Sequence, residues 1–555
     1  MIYNELTAEL FGSMLRTGAA RLLAEKEKIN SLNVFPVPDG DTGDNMYMTI
    51  KGGVSAIENC AEERLGDYAA VLSRGMLLGA RGNSGVILSR LFAGISKAFA
   101  GKSTADLQTV ALAMENGVKE AYSSVMNPTE GTILTVAREG VEKAASEADK
   151  NDLEAYFAAL TDEMELSLAR TPELLEALRQ AQVVDSGGAG LLCIFRGMLS
   201  AIRGDTEKFD DVAPVAKLDF DEKNFFGYCT ELLVKLGADR DEASSLAEIK
   251  EYLTSVGESV VCFGEGGIVK LHVHTKKPED ILAFCHKYGE FVTLKIENMS
   301  VSHTESVHED HEHETAAPVR TRPSEQKKFA VVAVANGDGI EALLGDLGAD
   351  AIIRGGQTEN PSTADFLEAF GSINAEYIFV FPNNGNIVMA AEQACGEYNG
   401  EHTDSHAVML PAKNIGACCA ALTAVDLTDA GMEVGDATEA MLSAIDATST
   451  GFVARSIRTV RINGVKVKQG DYIAIAGKKV ISDEPERLTS ALKLAEVLLK
   501  KRDTTLLNVF YGKNVDEEER EKFESLLAEN APQAEVYPVY GGQKVYDYII
   551  TATLD

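Results

Sequence analysis

The first 205 residues combine helical periodicity with an unusual set of connecting segments, and this constrains the fold more than any other feature. Apolar residues recur at helical spacing, as Met46, Ile50 and Val54 do. Four polar, mostly glycine-rich segments each stand directly before a predicted helix. They are 36–43, 81–85, 130–132 and 185–188. Because phosphates bind well at helix N-termini, these segments predict a helical domain with a shared anion-binding rim.

The rest of the chain changes character several times. Its 555 residues exceed the ~250–300 that a single hydrophobic core supports, so several domains are expected. Residues 223–300 contain four predicted strands and one helix, which indicates a small α/β middle domain. Residues 302–328 are almost free of apolar side chains and predict a disordered linker. Strand–loop–helix alternation over 329–555 predicts an α/β domain with a largely parallel sheet, and residues 452–481 within it are predicted to form antiparallel strands.

Charge and composition exclude several classes of protein. Acidic residues outnumber basic ones by 86 to 52, which argues against a large non-specific nucleic-acid surface. No apolar run reaches the ~18 residues of a transmembrane helix, and the N-terminus does not resemble a signal peptide. The eight cysteines are scattered without a CxxC pair, so reduced thiols and a cytoplasmic location are expected. Because the chain is strongly acidic, any phosphate ligand must be held by metal ions or backbone N–H groups.

The segment 33–46, NVFPVPDGDTGDNM, carries the residues most suited to phosphate chemistry. Asp39 and Asp41 flank a glycine that lets both carboxylates turn toward one point. With one or two Mg²⁺ between them, the two carboxylates would hold a phosphate that they would otherwise repel. The N–H groups of the following helix start belong to Thr42, Gly43, Asp44 and Asn45. An acidic turn that only caps a helix is the alternative interpretation.

The other three helix starts would stand on the same rim. Their expected nucleotide-binding residues are Asn83, Ser84, Thr132, Asp185 and Gly187. Arg81 directly precedes the second of these segments and would help to neutralise the transferred phosphate. The alternative interpretation is that Arg81 is a solvated surface arginine without a role in phosphate transfer.

The string from Asp39 to Met46, followed by 82–85, resembles the nucleotide-binding (DhaL-type) subunit of dihydroxyacetone kinases. The likeness covers about residues 1–205. It implies an all-α eight-helix barrel that holds ADP and two Mg²⁺. That family also has a carboxylate a few residues before the paired aspartates, and Asn33 stands near this place here, as the candidate third metal ligand.

Further motifs extend the resemblance to nearly the whole chain except 302–328. They are 228–231, 270–275, 296–299, 355–362, 382–387 and 541–543. Together they resemble the ATP-binding subunit of bacterial fatty acid kinase. The resemblance implies a separate DegV-like carrier protein that holds the fatty acid, an acyl phosphate product, and a C-terminal domain that docks the carrier.

The distribution of histidine agrees with a carboxylate as the phosphate acceptor. None of the nine histidines precedes His272. A fatty carboxylate, with a pKa near ~4–5, is already ionised at neutral pH and needs no general base. It needs positioning and neutralisation of charge. We therefore expect a subunit that transfers the γ-phosphate of ATP to a carrier-bound fatty acid.

The middle domain contains the residues of a second candidate metal site. His272 and His274 alternate on one predicted strand and Cys229 lies on another. One cysteine and two histidines are a reasonable Zn²⁺ set with one open position. Histidines that only form hydrogen bonds are the alternative.

Two other functions remain open at this stage. One is a kinase for a small hydroxy-carbonyl compound of the dihydroxyacetone type, and the other is a nucleotide-sensing scaffold. The sequence does not fix the oligomeric state, and a homodimer stays open.

Overall fold

The chain is described from a computed structural model, and it divides into two compact units. One unit contains residues 1–209 and 320–555, and the other contains 210–319. The residues that the structure describes are 5–32, 40–58, 60, 62, 64–145, 152–204, 228–237, 240, 242–256, 258–265, 268–275, 277–298, 326–429, 431–462, 464–477, 479–502 and 506–553.

The N-terminal part of the first unit is helical, as the sequence predicts, apart from one short pairing of β1 (Glu5–Leu6) with β2 (Ala105–Asp106). Its helices are α1 (Ala8–Asn30), α2 (Thr42–Glu58), α3 (Leu65–Leu78), α4 (Gly82–Phe99), α5 (Leu107–Ser123), α6 (Ile133–Ala145), α7 (Leu153–Leu174), the short α8 (Glu176–Ala181) and α9 (Ser186–Arg203). Within the described part of the chain, no helix combines the length and the apolar character needed to cross a membrane.

These helices share one core. Each of the longer ones packs against the next along the chain, and α9 returns to pack against α1. Fully buried side chains such as Met14, Phe92 and Phe195 fill the interior. The α1–α9 contact is a backbone-to-backbone approach, because a Cβ on Gly197 would lie 2.6 Å from the Cα of Gly18. Glycine at this crossing is what allows the last helix to close against the first.

The second unit is a four-stranded antiparallel sheet with two helices. Its elements are β3 (Tyr228–Leu236), α10 (Glu242–Val256), β4 (Glu258–Glu265), β5 (Ile268–Thr275), α11 (Pro278–Cys285) and β6 (Gly289–Asn298). The strand order is β4-β5-β3-β6. Alternate residues such as Leu232, Leu271 and Val273 are fully buried in a core with Ile249 and Ile281 of the helices. The strands and the helix that the sequence predicts for this region are therefore present.

The C-terminal part of the first unit begins with an all-parallel sheet in the order β10-β9-β7-β8. Its elements are β7 (Lys327–Ala335), α12 (Asp338–Asp346), β8 (Ala351–Arg354), α13 (Thr363–Gly371), β9 (Ala375–Phe381), α14 (Val388–Glu401), β10 (His406–Met409), α15 (Ile415–Thr423) and α16 (Val434–Ala447). The central strand β7 is buried almost throughout, as expected for a parallel strand covered on both faces. Its first two residues, Lys327 and Lys328, belong to the segment predicted as the linker. Residues 302–325 of that segment lie outside the described residues.

A second, mostly antiparallel sheet makes the domain less parallel than expected, while it confirms the antiparallel strands predicted over 452–481. Its strands are β11 (Thr448–Arg455), β14 (Tyr472–Ala476), β15 (Lys479–Glu484), β16 (Leu506–Tyr511), β17 (Glu535–Tyr540) and β18 (Tyr548–Thr553). A separate small hairpin pairs β12 (Val460–Ile462) with β13 (Val465–Val467), and the helices α17 (Arg487–Arg502) and α18 (Glu517–Asn530) complete the fold. Only the β16–β17 pair is parallel among the described ladders of this sheet. The strand β11 also pairs with β18, which lies far along the chain, and local periodicity does not reveal that pairing.

The helical and C-terminal parts of the first unit share a buried contact. Arg81 and Ser362 form an isolated antiparallel bridge between them. The Gln393 amide is 4% exposed and donates to the Leu77 carbonyl over 3.0 Å and to Thr363 Oγ1 over 3.0 Å. A small apolar cluster of Ala80, Val86 and Ala390 lies beside these bonds. Buried amides with satisfied hydrogen bonds fix the two parts in one orientation.

Candidate functional site

The helices α2, α4, α6 and α9 begin close to one another. The Ser186 hydroxyl donates to Thr42 Oγ1 over 3.1 Å, which joins the starts of α9 and α2. A Cβ placed on Gly187 would lie 3.4 Å from Ser84 Oγ of α4 and 3.2 Å from Ile133 Cβ of α6. The helix starts that follow the four polar segments therefore lie at one place, where first-turn N–H groups favour an anion.

The start of α2 is held in place by α1. The Gly43 N–H donates to Asn30 Oδ1 over 2.7 Å, and the Asn30 amide donates to the Asp44 carboxylate over 2.6 Å. Lys26 donates to the other Asp44 oxygen over 2.8 Å. A Cβ on Gly43 would approach the Lys26 carbonyl to 2.5 Å, so only glycine fits here. Asp44 thus contributes a tie between two helices rather than a side chain that faces the cavity.

Asp185 and Thr132 stabilise two of the other helix starts. Asp185 caps α9 by accepting from the Gly188 N–H over 2.7 Å. Burial raises the pKa of this carboxyl from 3.8 to about 6, against the lowering effect of the Gly188 and Ile133 N–H groups. Thr132 donates to the Thr129 carbonyl over 2.8 Å directly before α6. Both side chains form hydrogen bonds within the protein. They affect a ligand by fixing the helix starts.

The start of α4 depends on a left-handed glycine. Gly82 has φ of +56°, and a Cβ there would meet the Asn45 amide at 2.5 Å. Asn45 is 7% exposed, and its backbone N–H donates to the Asp41 carbonyl over 2.8 Å. Arg81 turns toward the C-terminal part, where Nη1 donates to the Asn360 carbonyl over 3.2 Å and Nη2 lies 3.9 Å from the Asp365 carboxylate. Its guanidinium therefore contacts the loop that also carries the Asn360 side chain to Asp41.

A cavity of about 510 Å³ lies between this rim and the parallel sheet. On the helical side it is lined by Asp41, Thr42, Asn45, Asn83 and Ser84. On the other side it is lined by the segments that follow β7, β8, β9 and β10, at the carboxyl ends of all four parallel strands. Open sheets of this kind bind ligands at that edge. The sequence predicts both halves separately, and the structure brings them together.

The strand-end half of the cavity is rich in carboxamides. The Asn384 amide donates to Gln357 Oε1 over 2.9 Å, and the Asn383 amide donates to the Val334 carbonyl over 2.9 Å. Asn383 has φ of +54°, a left-handed conformation that asparagine tolerates better than most residues. Phe452 and Ile549 belong to an apolar wall of the same cavity. A ligand with one charged end and one apolar part would suit these linings.

Several predicted site residues cannot be placed in this geometry. Asp39 and Asn33 lie outside the described residues. In the second unit, the backbone register sets Cys229 opposite His274, with His272 two positions along the same strand. These three positions fall on the face of the sheet opposite Leu271 and the core. Among the described side chains, no cluster of three or more His, Cys, Asp or Glu residues could hold a metal ion.

Asn360 is the contact residue that sequence reasoning missed. Its amide reaches Asp41 and Asn45 from the loop between β8 and α13. The signal available in the sequence was the polar loop 355–362 directly after a predicted strand. Nothing in the sequence says that this loop faces the α2 start.

Comparisons with known proteins agree along the whole chain. Residues 36–200 match the DAK2 domain, residues 225–306 match the middle domain of FakA-like fatty acid kinase proteins, and residues 330–553 match the C-terminal domain of the same proteins. Among solved structures, the chain is similar to the fatty acid kinase B3 protein of Streptococcus pneumoniae loaded with linoleic acid. That likeness has a TM-score of 0.30 and 14% identity over 41% of this chain and 100% of the other.

DegV of Bacillus subtilis, described as a fatty acid binding protein, gives a TM-score of 0.30 and 10% identity over 41% of this chain and 100% of the other. An uncharacterized protein of Staphylococcus aureus strain USA300 is 35% identical over 99% of both chains. Protein YloV of Bacillus subtilis strain 168 is 37% identical over the full length of both chains. With three consecutive domain matches and this full-length identity, the chain belongs to the FakA-like fatty acid kinase family.

Proposed function

We propose that this chain is the phosphotransferase subunit of a fatty acid kinase. In the reaction, a carboxylate oxygen of the fatty acid forms a bond to the γ-phosphorus of ATP. The bond from that phosphorus to the β–γ bridging oxygen breaks, and ADP leaves with its electron pair. The product is an acyl phosphate, and a separate DegV-like carrier protein holds the fatty acid.

The observation that carries this proposal is the convergence of four helix starts beside Asp41. Helix N-termini stabilise the phosphates of a nucleotide without cationic side chains. Two lysines, Lys413 and Lys544, also belong to the lining of the cavity. Because the acceptor is already a carboxylate, the site needs to position it and does not need a base. The first histidine of the chain, His272, is accordingly far along the sequence.

We propose two Mg²⁺ as cofactors, with Asp41 and Asp39 as ligands and Asn33 as a third. Asp41 fits this role because it lines the cavity among oxygen-bearing side chains, which are the ligands that Mg²⁺ prefers. When bound, the ions would neutralise charge on the transferred phosphate. We propose that Arg81, which donates to a backbone carbonyl of the 355–362 loop, adds a further positive charge.

The extent of the cavity also supports the proposal that a carrier protein delivers the fatty acid. It extends from Asp41 to amides and apolar side chains at the edge of the parallel sheet. A carboxylate delivered by a docked carrier would enter beside Asp41 along this edge. We therefore propose 329–555 as the carrier-docking domain, 1–205 as the nucleotide domain in the form of an eight-helix barrel, and 223–300 as the middle domain, with 302–328 as the linker.

Three smaller proposals complete the assignment. The positions of Cys229, His272 and His274 on one sheet face are compatible with a Zn²⁺ site in the middle domain. None of the cysteines whose side chains the structure describes forms a disulfide bond, which fits a reducing cytoplasm. A homodimer remains our working hypothesis for the assembly.

The test is acyl phosphate formation, trapped as the hydroxamate, from ATP and a carrier loaded with fatty acid. Asp41→Asn is expected to lower the rate by about 100-fold or more, the effect of removing one preorganised electrostatic group from a transfer site. Asp106→Asn is the matched control, because Asp106 is an exposed helix cap of the same part of the chain and asparagine caps equally well.

The same assay separates the alternatives. Phosphorylation of dihydroxyacetone without a carrier would favour the small-molecule kinase, and ATP binding without turnover would favour the scaffold. An Asp41→Asn variant as active as the Asp106→Asn control would overturn the proposed site.

A further inference from the structure

The loop 355–362 of the C-terminal part carries a buried asparagine to the nucleotide rim. Asn360 is 3% exposed. The loop around it is well fixed, because the Gly356 N–H donates to the Glu359 carbonyl over 2.9 Å. Ser362 and Asp365 then form a reciprocal capping box at the start of α13. Asn360 is thus presented by a rigid turn rather than by a mobile surface segment.

The Asn360 side chain makes its contacts with the proposed metal-binding segment. Its amide nitrogen donates to the Asp41 carboxylate and, over 3.4 Å, to Asn45 Oδ1. Its backbone carbonyl accepts from Arg81. One residue of the C-terminal part therefore contacts three residues of the α2 and α4 starts.

The amide oxygen of the same side chain is left without a partner. Asn360 Oδ1 is fully buried and accepts no hydrogen bond in the structure. Buried polar atoms are satisfied in the great majority of cases, and an exception calls for a reason. The reason would be that the amide takes another orientation when an ion binds beside Asp41.

Rotation of the Asn360 amide by half a turn exchanges its nitrogen and oxygen. The oxygen would then lie against the Asp41 carboxylate and the Asn45 amide oxygen. Three oxygens in one place repel each other without a cation and form a favourable ligand set with one. In the structure, the amide nitrogen lies against the Asp41 carboxylate and makes the favourable contact that a cation would make after the rotation.

We propose that Asn360 supplies a carbonyl oxygen ligand, across the contact between the two parts of the unit, to the divalent cation held by Asp41. The inference rests on the proposed function, since it concerns the same cation. It adds that the cation site is complete only when the 355–362 loop is seated on the helical rim. The C-terminal part then takes part in cofactor binding as well as in carrier docking.

The test uses Mn²⁺ as the probe with the full-length chain and ADP, followed by electron paramagnetic resonance and water proton relaxation. Asn360→Ala is expected to weaken Mn²⁺ binding by about 10-fold, a typical loss when one group that supports a metal site is removed. The bound ion should also gain one exchangeable water in place of the lost ligand. Asn360→Asp, which keeps an oxygen at this position, should bind Mn²⁺ at least as tightly as the wild type.

Gln393→Ala is the matched control. Gln393 is another buried amide of the same contact, with bonds to Leu77 and Thr363 and none to Asp41. Its loss should leave Mn²⁺ affinity and hydration unchanged. An equal loss of affinity in Gln393→Ala and Asn360→Ala would mean that Asn360 only holds the parts together, and would refute ligation.

Asp41→Ala distinguishes failure of this inference from failure of the proposed function. If Asp41→Ala loses Mn²⁺ binding while Asn360→Ala retains wild-type affinity and hydration, the metal site stands and the role of Asn360 is refuted. If Asp41→Ala binds Mn²⁺ normally, both are refuted.

Discussion

Asp185 provides a pH-dependent test of the helix rim. Burial raises the pKa of its carboxyl from 3.8 to about 6 in the folded protein. The folded state therefore holds a proton that the unfolded state has released, and stability falls as the pH rises from about 4 to about 6. A shift of this size corresponds to at most about 3 kcal/mol. Because the residue is only partly buried, we expect about 1–2 kcal/mol after allowance for solvent screening.

Asp185→Asn removes this ionisation and keeps the helix cap, since asparagine accepts the Gly188 N–H equally well. Its melting temperature relative to the wild type should rise by roughly 2–8 °C between pH 4.5 and pH 7.5, at 2–4 °C per kcal/mol for a domain of this size. Differential scanning calorimetry of both full-length proteins across that range measures the difference directly. A difference that is constant with pH would show that the carboxyl titrates normally and is not desolvated.

Three further predictions concern other parts of the molecule. Asn30→Ala removes the bonds that fix the start of α2, so ADP affinity by calorimetry should fall by about 10-fold, or ~1.4 kcal/mol, and unchanged affinity would count against this support. Gly82→Ala places a side chain at a φ of +56°, so it should destabilise the folded chain by ~1–3 kcal/mol in chemical unfolding, with Gly345→Ala, where a Cβ meets nothing within 4 Å, as control. Elemental analysis should find about one equivalent of zinc in the purified protein and less in His272→Ala, and a zinc-free wild type would favour the hydrogen-bonding alternative.

Local patterns were enough to predict the helical and strand-rich parts of the chain. The spacing of Met46, Ile50 and Val54 marks a helix face that is fully buried in the structure. The polar segments before α2, α4, α6 and α9 were recognisable because glycine and capping residues have strong local preferences. The parallel sheet could be predicted because β7 to β10 alternate with helices. The antiparallel strands over 452–481 could also be predicted, but the pairings of β11 and β16 with β18 could not, because no local pattern connects these strands.

Only some of the residues that form the site could be predicted from the sequence. Asp41 and Asn360 are 319 residues apart, and no local preference connects them. The prediction for Asp44 concerns its backbone N–H at the helix start, and the structure turns its carboxylate toward Lys26 and Asn30. Periodicity predicts which segment begins a helix. It does not predict which side chain of the first turn faces a cavity formed with another part of the chain.

The first compact unit is assembled from two stretches of chain, with residues 210–319 inserted between them. In the unfolded chain, the inserted segment is a flexible loop whose ends must come together for the helical rim and the 355–362 loop to meet. The entropy of closure depends only on the logarithm of loop length, with about 0.6 kcal/mol for each doubling. Relatives could therefore lengthen, shorten or exchange this inserted segment with little effect on the contact that brings Asn360 to Asp41.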